Sequence, residues 1–284
     1  MTARFADLLA SIDSWGADHA AAAVVGPSGI IDAHGDLDRP TRWASLTKPV
    51  TALAVLRAVD DDHIDLDAPA GPPGSTVRHL LAHTSGLPFE GDEILAAPGT
   101  RRIYSNPGFD RLGDLLVERV GRPVEEAIAT AVLGPLGMTR TTLIGRPSAG
   151  LHGPLRDLVA LAVELLRPTL LRPAAAVAMV SPAFPGLPGV VPGIGRFDDC
   201  AWGLGVELHG TKAPHWMATR NSPRAFGHFG GAGTFLWVDP DLDLALACLT
   251  DREFGPWALR AWPALSEAVV ERVTGAAGSS PDPR

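Results

Sequence analysis

The stretch RWASLTKPV, residues 42 to 50, places a serine and a lysine three positions apart. On a helix, Ser45 and Lys48 would lie on one face, because residues three apart are neighbours across one turn. A serine hydroxyl is a poor nucleophile until a base removes its proton. Lysine can be that base once its pKa is lowered, whereas arginine stays protonated. Lys48 and Lys212 are the only lysines among 24 basic residues, which favours a titratable amine at Lys48. The alternative is a helix cap at Ser45 and a solvated lysine.

A second constellation is RRIYSNPGF, residues 101 to 109. Tyr104 is the only tyrosine in the chain, and Asn106 is one of two asparagines. A phenol beside an ammonium ionises more easily and can carry a proton to a leaving group. The Asn106 amide both donates and accepts, so it could hold a substrate or the lysine. The alternative is a plain turn, because Asn-Pro-Gly is a good turn sequence.

A third constellation is GHFGGAGTF, residues 227 to 235, on a predicted strand. Gly230 and Gly231 would let a substrate approach the backbone closely, and a bare strand edge can donate an N–H to a developing oxyanion. His228 could provide a polar or positive group beside it. The alternative is a bulged edge strand with a surface histidine.

The elements that must position these residues follow from periodicity and turn signals. An N-terminal helix is predicted from one apolar stripe, which contains Phe5, Leu8, Leu9, Ile12 and Trp15. A hairpin is expected around residues 26 to 29, and helices are expected from Ser45, at 75–87, 107–120, 123–132, 155–166 and 257–273. Between residues 201 and 251 the pattern changes to successive strands.

This order predicts an α/β fold of the α+β type in a single domain, residues 1–275. The two outer parts, residues 1–40 and 197–275, would form a sheet with helices packed on it. The middle, residues 41–196, would be an inserted helical lobe. The tail, residues 276–284, is rich in Gly, Ser and Pro and is expected to be disordered.

Composition excludes several other classes. The net charge is −8, whereas a nucleic-acid binder needs a basic stripe. The basic residues are scattered, so no membrane partner is expected. No stretch has the length and apolar character of a membrane span or a signal peptide, so a cytoplasmic location is expected. Cys200 and Cys248 have no metal-type spacing, so two reduced thiols are expected, with no metal or cofactor. The oligomeric state is left open.

The three motifs, in order, resemble those of the serine β-lactamase and penicillin-binding-protein superfamily. The motifs are Ser45-x-x-Lys48, Tyr104-x-Asn106 and His228-Phe229-Gly230. Tyr-x-Asn makes the resemblance strongest to the class C β-lactamases and their esterase-like relatives. HLLAHTSGL at 79–87 and LGPLGM at 133–138 are similar to further hallmarks of that group. The resemblance spans about Val24 to Thr250.

The resemblance implies an antiparallel sheet flanked by helices, with the site between the sheet and a helical lobe. It implies that Ser45 is the acylated nucleophile and that Lys48 and Tyr104 transfer protons. It also implies that Asn106 contacts the substrate or the lysine. The oxyanion would be held by the backbone N–H groups of Ser45 and Gly231.

The chain departs from the family pattern at Phe229, where relatives have a hydroxyl that helps to bind a β-lactam carboxylate. The chain is also short for the family and lacks an export signal. These departures favour an esterase-like or amidase-like serine hydrolase acting on a small-molecule ester or amide. Activity as a β-lactamase or a D-amino-acid peptidase is the alternative. Trp43, Trp202 and Phe229 are candidate walls of the pocket.

Three other interpretations compete with a serine hydrolase of this family. His79 and His83 have the spacing of two zinc ligands on one helix, but the glutamate of a metalloprotease helix is absent, which favours a buried structural histidine. No serine lies in the Gly-x-Ser-x-Gly motif of an α/β-hydrolase. A catalytically inactive binding module on the same fold also remains open.

Overall fold

The structure is a computed structural model that describes residues 5–277, with side chains described through residue 275. The helices are α1 Ala6–Leu9, α2 Thr47–Asp60, α3 Val77–Leu81, α4 Asn106–Val120, α5 Val124–Ile128, α6 Leu155–Leu166, α7 Pro173–Met179 and α8 Ala258–Ala277. The strands are β1 Ala20–Gly26, β2 Gly29–His34, β3 Thr41–Arg42, β4 Arg102–Ile103, β5 Thr142–Leu143, β6 Leu151–Gly153, β7 Gly189–Val191, β8 Gly195–Phe197, β9 Glu207–Leu208, β10 Phe226–Gly230, β11 Thr234–Asp239 and β12 Leu244–Thr250. Short 3₁₀ segments cover Ala10–Trp15 and Ala44–Leu46, and a π-helical segment covers Ala129–Leu133.

The main sheet has the order β2-β1-β12-β11-β10-β9, and every neighbouring pair is antiparallel. Strands from the two ends of the chain therefore meet at its centre, where β1 pairs with β12. The predicted α/β class, with an antiparallel sheet and flanking helices, is confirmed.

β1, β11 and β12 are buried on both faces of the sheet, to which their successive side chains point alternately. In β12, Ala245, Ala247 and Leu249 join the core on the side of α6, whereas Leu246 and Cys248 join the core on the other side. The second core also contains the N-terminal stripe and the apolar face of α8. The apolar runs of these strands are continuous because neither face meets water.

The middle of the chain supplies most of the helices. α2 packs against α4 and α5, and α4 also contacts α3. α6 lies against β12, β1 and β11, so this helix of the middle segment covers the sheet. The assignment of residues 41–196 to a separate helical lobe stays a prediction.

Two small sheets were not expected from the sequence. One has the order β3-β6-β5, and the other joins β4 in parallel to β7, which pairs with β8. α7 was also missed. The Pro/Gly-rich segment 181–195 contains β7.

The expected disordered tail lies mostly outside the described residues. α8 runs to Ala277, so its last two residues fall in the segment predicted to be disordered. Within residues 5–277, no helix is both long enough and apolar enough to cross a bilayer.

Gly230, the last residue of β10, allows the main sheet to touch the 3₁₀ turn that carries Ser45. A Cβ atom at Gly230 would overlap the carbonyl oxygen of Trp43 and the hydroxyl of Thr234. That hydroxyl donates to the same Trp43 carbonyl at 2.9 Å, which fastens β11 to the turn. A Cβ atom at the neighbouring Gly231 would have nothing within 4 Å.

We therefore predict that Gly230→Ala lowers the free energy of unfolding by about 1–3 kcal/mol, the usual cost of overpacking. Gly231→Ala is the matched control and should change it by less than about 0.5 kcal/mol, because the added methyl group meets no neighbour. Urea denaturation measures both values. Equal effects of the two substitutions would contradict the proposed close approach.

Candidate active site

Ser45 lies in the 3₁₀ turn immediately before α2, and this turn is held from several directions. The buried Trp43 donates its indole N–H to the Gly153 carbonyl at 3.0 Å. Thr47 accepts a hydrogen bond from the Leu151 amide at 3.0 Å. Ala44 has a φ of 49°, which is unusual for a residue with a side chain, and it places Ser45 at the start of the helix.

Lys48 is completely buried, and its amine contacts three oxygen atoms. Nζ lies 3.2 Å from Ser45 Oγ, 2.6 Å from Asn106 Oδ1 and 2.9 Å from the Ser148 carbonyl. The amide and peptide oxygens only accept hydrogen bonds, so they can take both N–H groups of a neutral amine. The remaining lone pair then faces the Ser45 hydroxyl. The geometry fits a base that is ready to accept the proton of Ser45.

Burial lowers the pKa of Lys48 to about 7, since the charged form loses its hydration. The negative charges of Asp110 and Glu90 raise this pKa, and the positive charge of Arg146 lowers it. Near neutral pH, a substantial fraction of Lys48 is therefore the neutral amine.

Asn106 is held by charged residues that sequence reasoning missed. It begins α4, donates from Nδ2 to Glu90 Oε1 at 2.7 Å, and so turns its oxygen toward Lys48. Glu90 and Asp110 both form ion pairs with Arg146, whose side chain is partly exposed. Because these charges are distant along the chain and form no motif, a single sequence could not reveal them.

Tyr104 follows β4, which is anchored by the buried side chain of Arg102. This guanidinium donates to the carbonyls of Cys200 at 2.5 Å, Ala183 at 2.8 Å, and Ala82. The Tyr104 hydroxyl lies 3.4 Å from His228 Nε2. The tyrosine is thereby fixed beside the amine, with Lys48 Nζ 4.7 Å from the centre of its ring.

The protonation state of Tyr104 differs from the one expected from the sequence. Burial raises the pKa of Tyr104 well above its ordinary value, and a hydrogen bond with Ser45 only partly opposes this. Tyr104 is therefore a neutral phenol, and the prediction that lysine would help it to ionise is wrong. The loss of hydration on burial outweighs the hydrogen bond at the phenol.

His228 is also uncharged. Burial, with the positive charge of Lys48, lowers its pKa to about 3. Its Nδ1 lies 2.7 Å from the Phe229 carbonyl, which can only accept, so Nδ1 carries the proton. Nε2 is then free to accept from Tyr104, which orients the phenol. His228 acts as a polar group and not as a cation.

His79 and His83 have separate structural roles. His79 accepts a hydrogen bond from the Thr76 amide at the start of α3. His83 is buried, accepts from the Ser105 amide at 3.1 Å, and stacks on Tyr104 with ring centres 4.4 Å apart. The expected structural histidine beneath the site is His83. Among residues 5–277, no group of three or more His, Cys, Asp or Glu side chains could hold a metal ion.

A cavity of about 240 Å³ opens at Ser45. Its walls are formed by Ser45, Phe89, Tyr104, Val191, Pro192, Gly193, Trp202, His228, Phe229, Gly231 and Phe254. Trp202 and Phe229 line it as predicted, but Trp43 does not. Trp43 is wholly buried in the core beneath Ser45, because its indole is bound to the Gly153 carbonyl.

Ser45 and Gly231 both line this cavity. Two backbone N–H groups that donate to the same oxyanion must lie in one cavity. Gly231 is the first residue after β10, and Gly230 packs behind it against the serine turn. Backbone N–H groups at these positions can serve as donors to a developing oxyanion. Gly230 itself is a spacer and does not line the cavity.

The chain belongs to the β-lactamase family, whose model matches residues 20–270. This family comprises serine hydrolases of the β-lactamase fold. The chain is 30% identical to the D-alanyl-D-alanine-carboxypeptidase/endopeptidase AmpH of Escherichia coli, over 39% of this chain and 38% of AmpH. It is 33% identical to esterase EstB of Burkholderia gladioli, over 34% of this chain and 36% of EstB. The chain therefore spans well under half the length of these curated relatives.

Solved structures extend the likeness over nearly the whole chain. A crystal structure described as a β-lactamase from Mycobacterium bovis is 47% identical, covers 94% of this chain and 99% of that chain, and superposes with a TM-score of 0.92. EstCE1, described as a hydrolase with promiscuous acyltransferase activity, is 19% identical with a TM-score of 0.75, covering 93% of this chain and 97% of that chain. The second likeness concerns the fold alone.

The buried Lys48 predicts a particular pH dependence. Because the neutral amine is the base, kcat/KM should fall about tenfold per pH unit below an apparent pKa of about 7. The measurement is kcat/KM for p-nitrophenyl butyrate between pH 5 and 9.

The control is Lys48→Arg, which keeps a positive charge but cannot act as a base. It should lose nearly all activity while it still unfolds cooperatively. A flat profile above pH 5, or robust activity of a folded Lys48→Arg variant, would show that another group is the base.

Proposed function

We propose that this protein is a serine hydrolase that cleaves small uncharged esters, or the corresponding amides, through a covalent acyl-enzyme. One observation carries the proposal. A buried lysine with a pKa near neutrality lies 3.2 Å from a serine hydroxyl that opens into an apolar cavity. A serine activated by an adjacent base is the arrangement that acyl transfer requires.

In the proposed acylation step, Ser45 Oγ attacks the substrate carbonyl carbon, and its proton passes to the neutral Lys48 amine. The carbonyl oxygen becomes an oxyanion that accepts from the Ser45 and Gly231 amides. When the bond to the leaving group breaks, the proton returns from Lys48, relayed through the Tyr104 hydroxyl. Tyr104 can relay because it is a neutral phenol that accepts one proton as it donates another.

Deacylation would reuse the same groups. A water molecule takes the place of the leaving group beside Tyr104 and Lys48, which remove its proton as it attacks the ester carbon. Ser45 leaves with that proton, and the free acid departs. Asn106, fixed by Glu90, holds the Lys48 amine in one orientation through both steps.

The cavity walls support an uncharged acyl group. The Phe229 ring lies 5.0 Å from the Phe254 ring and 5.8 Å from the Trp262 ring, measured between ring centres. An aromatic wall at this point excludes water and offers no hydroxyl for a carboxylate. His228, the other side chain at this edge, is neutral.

Hydrolysis of β-lactams or D-amino-acid peptides is the second candidate. It is favoured by the 47% identity to the Mycobacterium bovis protein described as a β-lactamase, and by the likeness to AmpH. Phe229 argues against it, since these substrates carry a carboxylate close to the scissile bond. A catalytically inactive binding module is the remaining alternative.

The nucleophile can be tested without knowing the substrate. We predict that a fluorophosphonate probe labels the wild-type protein on Ser45 and that Ser45→Ala abolishes both labelling and ester hydrolysis. Loss of a covalent nucleophile lowers kcat by on the order of 10³-fold or more. Intact-mass spectrometry and p-nitrophenyl butyrate turnover provide the two readouts.

The matched control is Ser14→Ala, at an exposed serine of the N-terminal 3₁₀ segment, which should label and turn over like the wild type. An unlabelled wild-type protein would support the inactive module. Labelling that persists in Ser45→Ala would place the nucleophile elsewhere.

The role of Phe229 separates the two substrate classes. We predict that the wild type prefers p-nitrophenyl butyrate to a chromogenic cephalosporin and that Phe229→Thr shifts this preference toward the cephalosporin. A hydrogen bond to a charged carboxylate contributes about 1.5–3 kcal/mol, which corresponds to roughly ten- to a hundredfold in kcat/KM.

Phe229→Val is the control, because valine has the shape of threonine without the hydroxyl. Phe229→Val removes the ring contacts with Phe254 and Trp262 to the same extent as Phe229→Thr. If the two variants shift the preference equally, the hydroxyl is irrelevant and Phe229 does not determine the substrate class. A wild type that prefers the cephalosporin would favour the second candidate.

A further inference from the structure

A second cavity, of about 350 Å³, adjoins the one at Ser45. The two cavities share Phe89, Tyr104 and Pro192 in their walls. Ser45 lines only the first cavity, so the second begins on the far side of the Tyr104 ring. A substrate that reacts at Ser45 and passes Tyr104 would extend into it.

The walls of this second cavity expose large apolar side chains to water. Phe89 is 50% exposed, Leu95 is 43% exposed, and Val190 is 51% exposed. Exposed apolar side chains that cluster beside a reaction centre are typical of a ligand groove. The apolar surface indicates that the bound group has a hydrocarbon body.

Three arginines line the cavity. The guanidinium of Arg102 is bonded to backbone carbonyls, so Arg101 and Arg196 are the two that can meet a ligand. Arg101 donates to the Leu95 carbonyl at 2.7 Å, and within residues 5–277 neither Arg101 nor Arg196 has a carboxylate partner. No aspartate or glutamate is among the described residues that line the cavity. In a chain of net charge −8, a groove lined by three arginines and no acid favours an anionic ligand.

The shared wall indicates which part of the substrate enters the groove. Tyr104 lies between the two cavities, and it is the phenol that relays a proton to the departing group. The departing group must therefore lie against Tyr104, while the acyl group occupies the cavity at Ser45 and Gly231.

We propose that the groove binds a departing alcohol or amine with an apolar chain that ends in an anionic group, held by Arg101 and Arg196. This inference rests on the proposed function, because it assigns the second half of the same substrate. The negative charge is separated from the scissile carbonyl by the apolar chain. It is therefore distinct from a carboxylate beside Phe229, where the wall is aromatic.

The test uses butyrate esters of ω-hydroxy acids with chains of four to ten carbons. Each is compared with the ester of the matching ω-hydroxy primary amide, which has the same length and no charge. Released hydroxy compounds are quantified by chromatography. We expect one chain length at which kcat/KM for the carboxylate exceeds that for the amide by roughly three- to tenfold, since partly exposed ion pairs contribute modestly. The preference should shrink as salt is raised.

The double variant Arg101→Gln/Arg196→Gln should abolish this preference by lowering kcat/KM for the carboxylate ester to the value for the matching amide ester. Arg260→Gln, at an exposed arginine of α8, is the matched control and should retain the preference.

A wild type that cleaves p-nitrophenyl butyrate but treats acid and amide alike would overturn this inference and leave the proposed function standing. Failure to cleave any ester would overturn the proposed function itself. A charge preference that appears only when the carboxylate is on the acyl group would overturn the assignment of the groove to the departing group.

Discussion

The amine of Lys48 is removed from water and given two oxygen acceptors that cannot donate, Asn106 Oδ1 and the Ser148 carbonyl. This constraint makes the neutral form competitive with the charged form near pH 7, since a buried ammonium loses its hydration. It also gives the amine a direction, because both N–H groups are occupied and the lone pair is left for Ser45. The surrounding structure excludes water from this amine and fixes its orientation.

Several distant segments meet that requirement. Glu90 sets the orientation of the Asn106 amide and is itself paired with Arg146. Asp110 and Glu90 raise the pKa of the amine, and Arg146 lowers it. The buried Arg102 ties β4 to four neighbouring carbonyls, so Tyr104 stands beside Lys48. On the other side, Gly230 lets β10 touch the serine turn. The outer charges of this network, Glu90 and Arg146, are about half exposed and reach the surface.

The sequence predicted those parts of the molecule that depend on local pattern or on rare residues in order. The apolar strands, the amphipathic helices, and the convergence of Ser45, Lys48 and Tyr104 belong to this class. Pairings between distant short segments, such as β4 with β7, leave no periodic signal in the sequence. The same holds for Glu90, which affects Lys48 by fixing the Asn106 amide. Trp43 was misassigned because a tryptophan beside a nucleophile suits a pocket wall and a core position equally. The ionisation of Tyr104 depends on its burial, which composition and spacing do not specify.

The central claim, that Lys48 is a neutral base in the resting protein, can be measured at that residue. The chain contains only two lysines, so labelling with lysine enriched in ¹³C at the ε carbon gives two signals in an NMR spectrum. The spectrum of Lys48→Arg identifies which signal belongs to Lys48. A pH titration should move the Lys48 signal with a midpoint near 7. A midpoint near the ordinary value of 10.5 would contradict the account, because the amine would then be charged at the pH at which it must accept a proton.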